Sequence, residues 1–324
     1  MNPITDPRFW MLLLLGLWFA APGRAAEDAA GDTRHWLQRM IQAMNGLAYE
    51  GTFVYLHGGR LESLRIEHTP GRAEARERLL NLNGRPREIR RGRRGVTCIT
   101  PGAGGVSVEK WVTPGLGGFL RLDFERLGRN YLLHPLGDDR IAGREAVGIG
   151  IIPRDRLRYG YRLFLDRASG LPLEIDLMDP RAQPIERVMF TSLELGEDGA
   201  EAHPSGEEIP AAQVEHKAIL MPRGKRRWTF DRLPPGFEVR MHDEWTDDAG
   251  GLLEHFLVSD GLASVSVYVE PLHAGEEALQ GAAHLGAVHA WGRRLDGFQI
   301  TAVGETPAAA ARLIAEALRP LEER

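Results

Sequence analysis

The chain has 324 residues, 43% of them hydrophobic and 26% charged, with a formal net charge of -5. That balance excludes a disordered chain and gives no support to bulk binding of nucleic acid. A single cysteine, Cys98, excludes an internal disulfide and a thiolate zinc cluster, so large cores must hold the protein together.

Phe9 to Ala21 reads FWMLLLLGLWFAA, preceded by Arg8 and followed by Pro22-Gly23-Arg24-Ala25-Ala26. A positive residue, an apolar run and a small-residue exit describe a secretory signal peptide over residues 1–26, cleaved near Ala25 or Ala26. The run holds about thirteen residues against the ~20 of a spanning helix; a retained anchor and a buried core helix are the competing readings. The mature chain is long enough for two ordinary domains.

Asp32 or Thr33 is placed to cap a helix reaching Asn45, with Trp36, Leu37, Met40, Ile41 and Met44 on one face. Strands follow over Leu47–His57, Leu61–His68 and Glu74–Leu82, separated by Gly58-Gly59 and Thr69-Pro70-Gly71, and Asn83-Gly84 is a hairpin signal. Cys98 falls in the alternating run Val96–Thr100, which reads as a buried core thiol, with a reactive thiol as the alternative. Leu116–Leu127 reads as a helix. Further strands are expected over Arg140–Ile152, Tyr159–Asp166, Leu171–Asp179 and Ile185–Leu195.

Residues 196–213 form an acidic stretch with almost no apolar bulk and read as a flexible linker. It separates a first unit, 27–195, from a second, 214–324, with few contacts expected to cross between them. The second unit shows strands at Arg227–Phe230, Phe237–Trp245, Leu252–Ser259, Leu262–Glu270, Ala283–Trp291 and Gln299–Val303, with Asp260-Gly261 as a hairpin turn. Thr306-Pro307 opens a final helix to Arg319, with Leu313, Ile314, Ala317 and Leu318 as its buried face. Both units read as α+β with antiparallel sheets.

The usual catalytic signatures are missing: no Gly-x-Ser-x-Gly, no His-Glu-x-x-His and no phosphate-binding Gly-x-x-x-x-Gly-Lys-Ser/Thr. Gly148-Ile149-Gly150 continues into an apolar strand and is not a dinucleotide loop. His284 and His289, five apart, suit neither one helix face nor one strand face. His242-Asp243-Glu244 offers metal ligands but reads as a solvated strand end. The expectation is therefore no enzyme, no cofactor and no metal.

Two features favour binding. Arg85, Arg87, Arg90, Arg91, Arg93 and Arg94 surround a predicted hairpin; Arg90, Arg91, Arg93 and Arg94 are candidates for anionic headgroups or an acidic partner, against the plainer reading of a solvated sheet face. Arg223, Lys225, Arg226 and Arg227 form a smaller basic group where the second unit begins, and are candidate partner contacts. The first unit also carries a surplus of bulky side chains. Phe53, Tyr55, Leu80, Leu82, Trp111, Phe119, Phe124 and Tyr131 are candidates for the lining of an apolar cleft under a curved sheet, with a fully packed core as the alternative.

Several segments are distinctive: Tyr49–Tyr55, Glu62–His68, Arg158–Asp166 with Ser169–Leu173 and Phe190–Leu193, then Leu233-Pro234-Pro235-Gly236-Phe237 and Ser259–Val267. Together and in this order they resemble the MucB/RseB family of periplasmic regulators. The resemblance implies a large half-open antiparallel β-barrel domain with helices, of the lipoprotein-carrier kind, plus a smaller antiparallel α+β domain. It implies a periplasmic negative regulator that binds the periplasmic part of an RseA- or MucA-type anti-sigma factor and shields it from regulated proteolysis. Lipid-like signals, lipopolysaccharide or lipoprotein acyl chains, are implied to release the partner. A periplasmic lipid or lipoprotein carrier is the alternative, and a homo-oligomer is left open.

Overall fold

The computed structural model describes residues 22–71, 76–84, 87–92, 95–99, 119, 122–196, 227–246, 250–272 and 277–321. The apolar run Phe9–Ala21, the acidic stretch beyond Gly196, and the Cys98 side chain lie outside what is described. Among the described residues no helix is long and apolar enough to cross a membrane.

The first unit opens with helix α1 (Pro22–Gly46). The helix passes through Asp32 and Thr33, the expected cap. Thr33 is buried, and Ala25, Ala26, Ala29 and Ala30 are strong helix formers that extend it backward. Leu37, Met40, Ala43 and Met44 recur at helical spacing and enter the core, while Trp36 packs at its edge. Five strands follow: β1 (Tyr49–His57), β2 (Arg60–Thr69), β3 (Arg76–Asn81), β4 (Glu88–Gly92) and β5 (Gly95–Ile99).

Of the helix expected over Leu116–Leu127, most of the stretch before Leu122 lies outside the described residues; the helix described here is α2 (Phe124–Asn130). Asp123 fixes its start, its carboxylate accepting from the amides of Glu125 and Arg126. Then come β6 (Tyr131–Ile141), β7 (Arg144–Pro153), β8 (Gly160–Asp166), β9 (Pro172–Met178) and β10 (Pro184–Leu195). All ten strands make one antiparallel sheet in the order β5-β4-β3-β2-β1-β10-β9-β8-β7-β6, two meanders joined by the β1–β10 pair.

The second unit contains β11 (Trp228–Phe230), β12 (Glu238–Thr246), β13 (Leu252–Ser259), β14 (Ser264–Pro271), β15 (Gly281–Leu285), β16 (Val288–Leu295), β17 (Phe298–Glu305), α3 (Ala308–Ala317) and β18 (Leu318–Pro320). Six strands pair in the order β12-β13-β14-β17-β16-β15, and β11 pairs with β18.

Two single strands expected from sequence are hairpins. Arg140–Ile152 folds back at Ala142 (φ 49°) and Gly143 (φ 76°), the primed geometry that suits the strand twist. An Ala-Gly pair carries no strong turn signal, because alanine rarely takes positive φ. Ala283–Trp291 folds back at Gly286, which places His284 opposite His289 with stacked rings 5.7 Å apart. The spacing of five that fits neither a helix nor a strand is the spacing of this turn.

The last helix is also shifted. Pro307 takes the N-cap position with no side-chain cap, and the helix ends at Ala317 because Leu318–Pro320 pairs with β11. Its buried face is Ala310, Ala311, Ile314, Ala315 and Ala317, and Leu313 is 45% exposed.

Candidate ligand cleft and the junction behind it

Between the end of α1 and the inner faces of β1, β2, β3, β4, β9 and β10 lies a narrow apolar cleft that is partly open to solvent. Strand alternation builds its wall. Phe53 and Tyr55 on β1, Leu64 and Ile66 on β2, Leu79 on β3, Ile89 on β4, and Val188 and Phe190 on β10 all point inward. The Phe53 and Phe190 rings tilt together at 5.7 Å between centroids. Gly51 permits the close approach of β1 and β10, since a Cβ there would stand 2.5 Å from the Ser192 carbonyl and 2.9 Å from the Phe190 ring.

Three charged groups, Glu62, Arg87 and Glu174, lie on this wall, and Arg87 and Glu62 pair there at 3.5 Å. Burial raises the Glu62 carboxyl, but hydrogen bonds from His57 and Asn81 and the charge of Arg87 outweigh it and hold the group below the usual range. The cleft is thus an apolar slot with an ionised pair, suited to a hydrocarbon chain bearing a polar end.

The proposed cleft residues fall in several places. Phe53 and Tyr55 line the cleft. Leu80 and Leu82 do not: the pairing Ile66↔Leu79 puts Leu79 inside, and Leu82 is 53% exposed beyond the strand end. A one-residue phase error on a short strand exchanges inside for outside. Phe119 is buried edge-on against Tyr161, 4.9 Å between centroids. Phe124 packs at the rim of the core under the Arg34 guanidinium. Tyr131 belongs to the junction described below. Trp111 lies outside the described residues.

The basic candidates are similarly divided. Arg90 bonds the fully buried Glu88 at 2.6 Å, and Arg78 holds the same carboxylate at 2.7 Å, so Arg90 serves an internal ion pair. Burial raises Glu88, and the bonds from Arg78 and Arg90 overcome it. Arg91 lies in β4, but its side chain, like Arg85, Arg93 and Arg94, is outside the described residues. In the second unit Arg227 bonds the buried Glu254 at 2.8 Å and the Leu252 carbonyl at 3.1 Å, which ties it down as a structural cation. Arg223, Lys225 and Arg226 are outside the described residues.

Sequence reasoning missed the contact between the two sheets. Arg158, just before β8, is buried and reaches the Asp260 carboxylate in the β13–β14 turn, the Asp155 carboxylate and the Pro235 carbonyl. Its guanidinium lies over the Phe237 ring at 4.6 Å. Tyr131 donates to the same Asp260 at 3.0 Å, and burial followed by that carboxylate keeps its phenol protonated. The other Asp260 oxygen accepts from the amides of Leu262 and Ala263, holding a turn whose Leu262 inserts into the first unit's core. Asn130 fills the space beside Gly236, where a Cβ would meet its amide oxygen at 2.2 Å. The contact is small but buried: a buried charge carries a large desolvation cost, and this one is compensated by groups from both units.

A second contact touches the cleft directly. The Tyr55 hydroxyl, on the cleft wall, donates to Glu186 at 2.6 Å. The other Glu186 oxygen accepts from the Ala287 amide, at 3.4 Å, in the β15–β16 turn. Tyr159 reaches the Ala287 carbonyl at 3.3 Å and the His289 ring at 3.2 Å. Tyr159, Leu177 and Ala287 close a small apolar cluster around these bonds.

The segments that carried the resemblance converge on the first contact: Arg158, Pro235, Gly236, Phe237, Asp260 and Leu262 all come from them. Comparison with known proteins agrees over the same span. The MucB/RseB N-terminal domain profile matches residues 32–218, and the C-terminal domain profile matches residues 222–319. The chain is 33% identical to the sigma factor AlgU regulatory protein MucB of Pseudomonas aeruginosa, over 96% of each chain. It is 28% identical to the sigma-E factor regulatory protein RseB of Escherichia coli K12, over 96% of this chain and 97% of that one. The solved MucA/MucB complex of Pseudomonas aeruginosa contains a chain of 32% identity that superposes with a TM-score of 0.70, over 90% of this chain and 100% of that one. On these matches in both units, the chain belongs to the MucB/RseB family.

Proposed function

We propose that this chain is a periplasmic negative regulator that binds the periplasmic part of a membrane anti-sigma factor and shields it from regulated proteolysis. The observation that carries the reading is family membership across both units, together with a relative solved in complex with MucA. On this reading residues 1–26 are the export signal, 27–195 the first domain, 196–213 a linker and 214–324 the second domain. The first domain is then a half-open barrel, with the cleft as its opening. The protein acts by binding and not by catalysis.

The cleft supplies the regulatory input. Each buried CH₂ of an acyl chain contributes roughly 0.8 kcal/mol before the costs of binding, so part of one chain is sufficient for useful affinity. Tyr55 both faces the cleft and holds Glu186 against the second unit, so a ligand that displaces Tyr55 loosens that contact. A ligand favouring the loosened arrangement weakens partner binding, and the partner weakens ligand binding by the same factor.

The test is capture of the purified periplasmic part of the cognate anti-sigma factor by the mature chain. Stoichiometric binding that protects it from the site-1 protease is expected, and lipopolysaccharide should relieve both effects. Failure to bind overturns the regulator reading. Lipid binding without anti-sigma-factor binding favours the second reading, a periplasmic lipid or lipoprotein carrier, which the apolar cleft alone also fits.

A further inference from the structure

The hairpin of β12 and β13 brings together three donors that the sequence separates. His242 and Glu244 stand two apart on β12 and share a face, and Glu254 on β13 lies directly opposite Glu244. The His242 Nε2 atom is 2.8 Å from Glu254 Oε2 and 3.7 Å from Glu244 Oε1. All three donor atoms lie within 4.8 Å of one another. His242-Asp243-Glu244 is therefore not a solvated strand end.

Burial makes this arrangement unusual. The Glu254 side chain is 0% exposed, and the Glu244 side chain is 7% exposed. Glu244 Oε1 is shut off from solvent and accepts no hydrogen bond, although it faces the imidazole. An unsatisfied buried carboxylate oxygen is costly, and it calls for a cation or a donor at that spot. The ring is held in place by stacking on Phe256, 4.5 Å between centroids. Arg227 bonds the outer oxygen of Glu254 at 2.8 Å, as groups behind a ligating carboxylate commonly do.

We propose that His242 Nε2, Glu244 Oε1 and Glu254 Oε2 form a site for a divalent transition-metal ion of the zinc type. One imidazole nitrogen and two carboxylate oxygens suit zinc, whose bonds of about 2.0–2.2 Å span donors roughly 3.3–3.5 Å apart. The present separations of 2.8 and 3.7 Å bracket that span. Calcium needs six to eight oxygens, more than this set supplies. The ion takes the place of the proton on Nε2, which moves to Nδ1 or to solvent. It satisfies Glu244 Oε1 and leaves a fourth position, reached past the partly exposed His242, for water. Its effect is to fasten the edge strand β12 to β13, next to the Arg227 anchor of β11.

The competing occupant is a proton. A charged imidazolium between two carboxylates and Arg227 also balances the site, and binds no metal.

The experiment uses the untagged mature chain, stripped with chelator and titrated with Zn²⁺ against a chromophoric competitor. Co²⁺ serves as a spectroscopic probe of the ligand set. One equivalent with micromolar or tighter affinity is expected, with visible Co²⁺ bands of a low-coordinate nitrogen–oxygen site. Glu244→Gln keeps size and leaves the Arg227–Glu254 pair intact; it should weaken binding by about 100-fold and change the Co²⁺ spectrum, since even outer partners commonly cost 10–100-fold. His242→Gln is the second variant and should do the same. Absence of saturable binding at micromolar metal overturns the site. So does binding that both variants leave unchanged, or binding lost only on His289→Gln, which would place the metal at the His284–His289 pair.

Discussion

The two sheets use the same antiparallel construction for opposite ends. In the second unit Val265, Val267, Val269, Ile300 and Ala302 are 0% exposed, and α3 closes over them. The alanines of that helix are short enough to let it sit close. In the first unit the inward residues Tyr49, Phe53, Tyr55, Leu64, Val188 and Phe190 keep 5–9% exposure around a cleft. Among the described residues, the ten strands present more inner surface than α1 covers on the cleft side, and large aromatic side chains line the space there. A packed sheet is a rigid part and a hollow sheet is a receptor; the buried Arg158 joins the two.

Breaking the junction should have the largest effect. Asp260→Ala leaves Arg158 buried without its main partner, and Arg158→Leu leaves Asp260 likewise; each should cost about 3–5 kcal/mol in urea unfolding. A loss below about 1 kcal/mol would show that the units do not depend on this contact.

The contrast between packed and hollow sheets predicts unequal truncations. Ile300→Ala in the second core should cost about 2–5 kcal/mol, while Leu64→Ala should cost less, since it enlarges space already present. Equal losses in thermal or urea unfolding would contradict the comparison. Leu64→Trp sharpens it: the indole should fill the cleft and abolish saturable binding of a fluorescent acyl probe, with the fold retained.

A smaller effect concerns pH at the second contact. Burial, then the nearby Glu186 charge, pushes the Glu305 carboxyl at the end of β17 up to about 7. The folded protein holds this proton more tightly than the unfolded chain does. Its stabilising contribution is therefore full below about pH 4.5 and is lost as pH rises through about 7. Partial exposure limits it to about 1 kcal/mol. Glu305→Gln should flatten that part of the stability profile between these limits, and an unchanged profile would remove Glu305 from it.

The smallest effect is at Arg90. Because it serves buried Glu88, which Arg78 also holds, Arg90→Ser should cost about 1 kcal/mol of stability. It should change acyl-probe binding less than Leu64→Trp does. A large loss of probe binding with stability intact would restore Arg90 to the headgroup role.

Local pattern was enough where each residue's environment repeats along the chain. The alternation Val265-Val267-Val269 and the helical spacing of Leu37, Met40 and Met44 reflect one buried face each, and both elements are legible in the chain. Boundaries failed where a long-range partner overrode local preference. Leu318 leaves its helix because β11 offers a strand partner, and Ala142 accepts positive φ because β6 and β7 pair on either side. In the cleft, sequence placed Phe53 and Tyr55 on the wall but chose Leu80 over Leu79, since two adjacent leucines carry no phase of their own.

The antiparallel α+β character, the family and the concentration of apolar bulk in the first unit are legible from neighbouring residues, because strand alternation, turn residues and ordered segments are properties of neighbours along the chain. Which charges are tied down becomes visible only in the folded chain. Arg90 and Arg227 read as surface cations, yet each is held by a buried carboxylate, Arg90 by Glu88 two residues back on its own strand and Arg227 by Glu254 on a strand of the other sheet of the second unit. Arg158 stands out in the sequence only as the first residue of a distinctive segment, yet it is the buried link between the units. The strength and role of a charge depend on its partner and on its distance from water, and both are fixed only when distant strands meet.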